Sequence, residues 1–345
     1  MRVLVAGWFS FKSCRATAGD ILAKDVVCAW LEQASCIYDV ALAPPFEGGV
    51  DWRAADPNEY THLIFVCGPF YNHRHTTNLL QRFSGRRLIG INLSMLEAVE
   101  VWNPFDLLLE RDSSRTARPD LSFLSRRDRV PIVGLVLVHP QPEYRERQRH
   151  DVINAMIRRL LQERNVAVVP IDTCLDTNST GLRTESQIES LFCRMDVVIT
   201  TRLHGLVLAI KNDIPALAID PIAKGAKISQ QARTIDWPVV FTPDELSQRA
   251  LEKAFDYCFT EEARHKAVRC HAYAIQHAAQ VKGPFLAALS TKALVSEAAG
   301  VPSAPLPPPK WGVPAIAPKL RAALRRFPYA YALARKLKTQ FRRAL

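Results

Sequence analysis

Arg202 and His204 stand two residues apart in the run DVVITTRLHG, and their types define the chemistry this stretch could do. A guanidinium offers a planar fork of donors that matches phosphate or carboxylate. An imidazole exchanges a proton near neutral pH. Together they would make an anion site with a proton-transfer group beside it. Positioning them requires a strand, a turn and a helix. Val197, Val198 and Ile199 form a β-branched run that reads as a buried strand, and Thr200 or Thr201 could cap a following helix over 203–210. Asn212 and Asp213 stop that helix, and 214–219 reads as a second strand. Ligands bind at the edge where such a strand ends, and a helix N-terminus favours an anion there. The plainer alternative is a solvated arginine and a surface histidine.

Other segments are candidates of lower information. Asp220 ends the second strand, and Lys224 and Lys227 follow it. Arg111, Asp112, Ser114 and Arg115 make a charged turn after the apolar run 107–109. His73 and His75 could suggest a metal, but no third ligand is near, so they read as a solvated loop and no metal is expected.

The chain around these residues reads as α/β. Strands are expected at 2–7, 60–67, 87–92, 130–138 and 166–171. Helices are expected at 20–31, with Asp20 as its cap, and at 147–164, 188–195, 245–277 and 284–299. The polar run 112–129 reads as a linker. The expected organisation is a Rossmann-like domain over 1–128, a second over 129–300, a proline-rich linker over 301–318 and a basic amphipathic tail over 319–345.

Composition narrows the class. Hydrophobic residues make up 48% of the 345, and charged residues 23%, which is ordinary for a globular protein. No stretch approaches the ~20 apolar residues of a spanning helix. The eight cysteines show no C-x-x-C pair or zinc spacing, which suits reduced thiols and a cytoplasmic location. The net charge of +11 is unevenly placed: 301–345 holds ten Lys and Arg and no acid, so the rest is nearly neutral. A nucleic-acid-binding surface is therefore not expected. The tail alternates Leu, Tyr and Phe with Lys and Arg, the pattern of a helix lying on an anionic membrane surface.

The sequence T-x-R-L-H-G, followed by an apolar helix, by I-P-A-L-A-I-D and by Lys227, resembles the polysaccharide pyruvyl transferase family. Arg202, His204, Pro215, Asp220 and Lys227 fall onto its pattern, with Lys224 a rival to Lys227 because the loop is longer than expected. The turn at Arg111 resembles the family's R-D-x-x-S motif, and Gly19-Asp20 resembles its N-terminal Gly-Asp, with Thr17 or Ala18 where an Asn is expected.

The resemblance implies two Rossmann-like domains with a central cleft, as in the glycosyltransferase type B fold. It implies transfer of a pyruvyl group from phosphoenolpyruvate to a sugar of a lipid-linked or nucleotide-linked glycan, with phosphate released. Phosphoenolpyruvate would be the donor substrate, and no cofactor is implied. His204 would be the acid–base group, and Arg202, Arg111, Lys227 or Lys224, and Asp220 would bind substrate. The same architecture would also suit a nucleotide-sugar glycosyltransferase, or a family member that binds glycan or a partner without catalysis.

Overall fold

The computed structural model describes residues 1–12, 15–138 and 146–290. The expected proline-rich linker and basic tail lie outside the described residues, as does the end of the helix expected at 284–299. The described elements run β1 (Arg2–Gly7), α1 (Ala18–Gln33), β2 (Ile37–Val40), β3 (His62–Val66), β4 (Pro69–Phe70), α2 (Arg74–Arg82), β5 (Arg87–Ile91), β6 (Ser94–Met95) and β7 (Leu107–Leu109). They continue with β8 (Ile132–Val136), α3 (His150–Gln162), β9 (Ala167–Pro170), α4 (Glu185–Phe192), β10 (Val197–Thr200), α5 (Leu203–Lys211), β11 (Ala216–Ile219), α6 (Lys227–Thr234) and β12 (Val240–Phe241). Helices α7 (Gln248–Cys258), α8 (Glu261–Ala279) and α9 (Lys282–Ser290) close the described chain.

Two five-stranded sheets, both parallel throughout, carry the fold. The first has the order β2-β1-β3-β5-β7, and the second β12-β11-β10-β8-β9. The protein is thus α/β with two Rossmann-like sheets. Central strands of parallel sheets are covered on both faces, which is why they read as unbroken apolar runs. In β1 the period of two splits the side chains cleanly. Val3 and Val5 pack with Ala23 and Val27 of α1, while Leu4 and Ala6 pack with Phe65, Phe70 and Leu79 on the other face. The second sheet has its own core, centred on Val197–Ile199, Ala216–Ile219 and Leu206 of α5.

In each sheet the strand order reverses at one point. Chain β8 leads to β9 on one side, and then to β10 on the other, so the second sheet switches between β8 and β10. The first switches likewise between β1 and β3. Crevices at such points are where open α/β sheets bind ligands.

Two helix expectations are corrected. The stretch 245–277 is two helices, broken at Phe259 and Thr260. The helix expected at 188–195 begins earlier, at Glu185, behind a Thr184–Gln187 capping box. The polar run 112–129 is held down over its first half. Asp112 bridges Ser94 and Ala117, and Glu110, 1% exposed, takes ion pairs from Arg115 and Arg118.

Candidate functional site

The turn after β10 is built by two threonines and a glycine. Thr200 Oγ accepts the Arg202 N–H at 3.0 Å and also lies 3.2 Å from the Val136 carbonyl, to which it can donate. Thr201 Oγ accepts the Val138 N–H at 2.8 Å, tying together the chain segments that leave β10 and β8. Neither hydroxyl caps α5, contrary to expectation: Arg202 is the N-cap residue, and no side chain caps the helix. Among the described residues the Leu203 and His204 N–H groups at its start have no acceptor, while those of Gly205 and Leu206 bond to the Arg202 carbonyl. Gly205 lets the helix come this close to the sheet, since a Cβ there would lie 2.1 Å from Thr200 Oγ1.

Arg202 and His204 stand on this turn and differ sharply in setting. Arg202 is folded back onto a partner invisible to the sequence pattern. Its Nη1 donates to Asp172 Oδ1 at 3.1 Å and Thr173 Oγ1 at 3.1 Å, and lies 3.0 Å from Cys174 Sγ. The side chains of Arg202 and Asp172 are 12% and 5% exposed, so the pair is largely withdrawn from water. Burial opposes ionisation of Asp172. The N–H groups of Ser179 and Cys174, the Ser179 hydroxyl and the Arg202 charge outweigh it, holding the carboxyl down at about 2. Arg202 is thus a fixed cation with one nitrogen committed and the rest of its fork without a described partner. His204 is exposed, with no hydrogen bond among the described residues.

Asp172 also lines a pocket of about 340 Å³ with Ser179, Asn154 and His150. His150 opens α3; its Nε2 is buried with no partner among the described residues, and burial pushes its pKa below the ordinary imidazole value. Sequence reasoning passed over both residues.

Asp220 lies on the same sheet edge, at the end of β11, and is 1% exposed. Its Oδ2 accepts the N–H groups of Ala226 at 2.7 Å, Ile228 at 3.1 Å and Ser229 at 3.0 Å, and its Oδ1 that of Ile222 at 3.3 Å. The carboxylate thereby caps α6 from outside the helix and fills the place an anion would take. Of these two helix N-termini, that of α6 is plugged by Asp220, while that of α5 has no side-chain cap among the described residues.

The loop from β11 to α6 is tied to the chain before α3. Arg149 N–H donates to the Pro221 carbonyl and Ala223 N–H to the Arg147 carbonyl, both at 2.9 Å. The Arg147 guanidinium reaches the carbonyls of Ala223 and Gly225 at 2.8 and 3.2 Å. Lys224 sits at φ +65°, its N–H on Asp244 at 2.7 Å, and Lys227 opens α6. Both side chains are exposed and without a described ion pair.

Arg111 follows β7, the edge strand of the first sheet. It pairs with Asp120 at 2.7 Å and Asp112 at 3.0 Å and donates to Ser94 Oγ. Two carboxylates therefore already match its charge. No described hydrogen bond or ion pair joins it to Arg202, His204, Asp220, Lys224 or Lys227. Asp20 is not the N-cap expected of it: α1 begins at Ala18, Thr17 is the N-cap, and Asp20 is the third helical residue, whose carboxylate accepts the Thr17 N–H at 2.7 Å in a capping box.

A second pocket, of about 520 Å³, opens at the switch point of the first sheet, lined by Trp8, Lys12, Arg15, Tyr71, His73, His75 and Arg111 among others. His73, expected in a solvated loop, is instead the N-cap of α2 and packs on His75 with ring centroids 5.1 Å apart. Three loops distant in sequence supply this lining, and no local motif marks it. Among the described residues no group of three His, Cys, Asp or Glu could hold a metal.

Residues 140–221 match the polysaccharide pyruvyl transferase family. The match takes in β9, β10, α5 and β11, with Arg202, His204, Asp172 and Asp220, and leaves out the first sheet. No curated protein matches the chain. Among solved structures, the calicheamicin glycosyltransferase CalG4 is similar at 12% identity and a TM-score of 0.32, covering 85% of this chain and 99% of its own. The spinosyn rhamnosyltransferase SpnG has 11% identity and a TM-score of 0.30, with 83% and 100% covered. The UDP-GlcNAc 2-epimerase from Methanocaldococcus jannaschii has 9% identity and a TM-score of 0.29, with 76% and 94% covered. The fold class stands on the two parallel sheets and not on these likenesses.

Proposed function

We propose that this pyruvyl-transferase-like chain transfers the enolpyruvyl carbon of phosphoenolpyruvate to two hydroxyls of a glycan sugar. The observation that carries this reading is the Arg202–His204 turn, inside the matched segment and at the N-terminus of α5, which no described side chain caps. The donor brings a phosphate and a carboxylate. The uncommitted nitrogens of Arg202 and the first-turn N–H groups of α5 bind one of them. Lys224 or Lys227 supports the other from the neighbouring loop, and Arg111 is a further candidate.

The reaction moves two protons. The methylene carbon of the donor takes one and becomes a methyl group. Two sugar hydroxyls form C–O bonds to the adjacent carbon as its C=C π bond is used up and its C–O bond to the phosphate breaks; they release two protons, one of which balances that uptake and the other leaves with the phosphate. His204, exposed beside the anion site, exchanges a proton in these steps, a role worth typically 10²–10⁴-fold. Asp220 acts as the cap that shapes the loop, and Asp172 fixes Arg202.

The deciding experiment measures phosphate released from phosphoenolpyruvate by the full-length protein against a panel of lipid-linked and nucleotide-linked glycans. Acceptor-dependent release supports the reading. Absence of release, with nucleotide released from a sugar donor instead, would replace it with glycosyl transfer. No described helix is long and apolar enough to cross a membrane. Residues 319–345 are proposed, from their sequence, to hold the enzyme to anionic lipid on the cytoplasmic side; flotation with anionic but not neutral vesicles, lost on deleting 301–345, tests this.

A further inference from the structure

The pocket of the first sheet contains none of Arg202, His204, Lys224 and Lys227, although the donor candidate Arg111 is in its lining, and its other residues have a chemistry of their own. It opens at the crevice between β1 and β3, and its volume of about 520 Å³ is that of a small-molecule site. One wall is aromatic. Trp8 and Tyr71 stack with centroids 6.3 Å apart and planes 29° apart, each half-buried. The Trp8 ring is fixed from behind, its Nε1–H donating to the Pro69 carbonyl at 3.0 Å. Gly68, at φ +82°, makes room for it, since a Cβ there would fall 2.3 Å from Trp8 Cδ1.

The rim is cationic. Lys12 and Arg15 are exposed and pair with no carboxylate among the described residues. The single carboxylate in the lining, Asp20, is turned inward to Thr17, whose N–H and hydroxyl it accepts at 2.7 and 2.8 Å. Flat apolar rings beside uncancelled positive charge suit a ligand with an apolar ring face and an anionic end. A pyranose presents such a face through its axial C–H bonds, and a phosphate on its anomeric carbon supplies the charge.

We infer that this pocket binds the sugar-phosphate portion of the glycan acceptor, the ring against Trp8 and Tyr71 and the phosphate on Lys12 and Arg15. Nucleotide-linked and lipid-linked glycans share that junction. Naming the ligand an acceptor rests on the pyruvyl-transfer reading; the binding itself does not.

Calorimetry on the full-length protein, without phosphoenolpyruvate, tests it. The probes are the 1-phosphates of glucose, galactose, mannose and N-acetylglucosamine, each against its free sugar and inorganic phosphate. At least one should bind about tenfold more tightly than both controls, the scale of one added charged or stacking contact. The exposed double variant Lys12→Ala/Arg15→Ala should lose about tenfold for that sugar phosphate. Tyr71→Ala should weaken the sugar phosphate and leave inorganic phosphate unchanged, with circular dichroism unaltered in both variants. UDP-glucose and farnesyl-diphosphate-linked glucose follow, and tighter binding of either supports the site and identifies the carrier. The inference is overturned if no sugar phosphate exceeds inorganic phosphate, or if the variants bind as the wild type does. Retained binding without any phosphate release would reject pyruvyl transfer and keep the pocket.

Discussion

Gly205→Ala tests whether the close contact of α5 with β10 sets the site. The new Cβ would lie 2.1 Å from Thr200 Oγ1, 2.9 Å from Thr200 Cβ and 3.0 Å from Val136 Cγ1. Thr200 and Val136 are both fully buried and belong to central strands, so neither can yield cheaply. Restoring ordinary contact, near 3.5 Å, requires α5 to lift by roughly 1 Å. Overpacking of this kind costs about 1–3 kcal/mol, and the better helix propensity of Ala returns about 1. The net expectation is a loss of up to about 2 kcal/mol, which lowers Tm by up to about 4 °C. Because Arg202 and His204 ride on the displaced turn, turnover should fall by about 10², the effect of a misplacement of about 1 Å. Calorimetric melting reads the first, and phosphate release under saturating phosphoenolpyruvate the second. In a Thr200→Ala background, where the nearest atom is gone, Gly205→Ala should cost less. An unchanged Tm in the wild-type background would refute the packing argument.

Three further outcomes are expected. Asp172→Asn should cost about 2–3 kcal/mol at pH 7, from a carboxyl held at about 2 against an ordinary value near 4. Since the folded value is depressed, this stability is present above about pH 4 and lost as pH falls to about 2; urea titrations should show wild type and variant converging over that window, and a constant gap would count against it. Asp220→Ala strips the α6 cap of its carboxylate and should cost about 2–3 kcal/mol in urea titrations. It should also make Tm rise with added phosphate more than in the wild type, because the freed N–H groups accept an anion. His204→Gln, at an exposed position, should leave Tm unchanged and lower turnover by about 10²–10⁴; wild-type turnover would reduce His204 to a surface residue.

What was legible followed from burial on both faces of a strand. Val197–Ile199 and the strand before Asp220 read as unbroken apolar runs because parallel strands are covered twice, and the turn with Arg202 and His204 followed from where they end. Strand β2 did not show, since IYDV at a sheet edge keeps polar and exposed positions. Asp220 read as a ligand-binding residue because its partners lie two to nine residues ahead, on a loop that must first fold back. The Asp172–Arg202 pair spans 30 residues and no local rule links them. The pocket of Trp8, Lys12 and Tyr71 is assembled only when β1 and β3 become neighbours, so its residues look unrelated along the chain.

The clamp between 147–149 and 221–225 has a consequence for the order of folding. Gln148 and Ile222 bridge across more than seventy residues, with α3, β9, α4, β10, α5 and β11 all lying in the span they close. Closing a long span brings its entropic cost before the contact rewards it, so such contacts form after local ones. The loop bearing Lys224 and Lys227 takes its shape from this clamp and from Asp220 alike. The chain therefore forms its local helical turns first and arranges the lysines with the long-range contacts. Hydrogen exchange during refolding should show the Gly205 and Leu206 amides, bonded to the nearby Arg202 carbonyl, protected before those of Arg149 and Ala223, whose acceptors lie across the clamp.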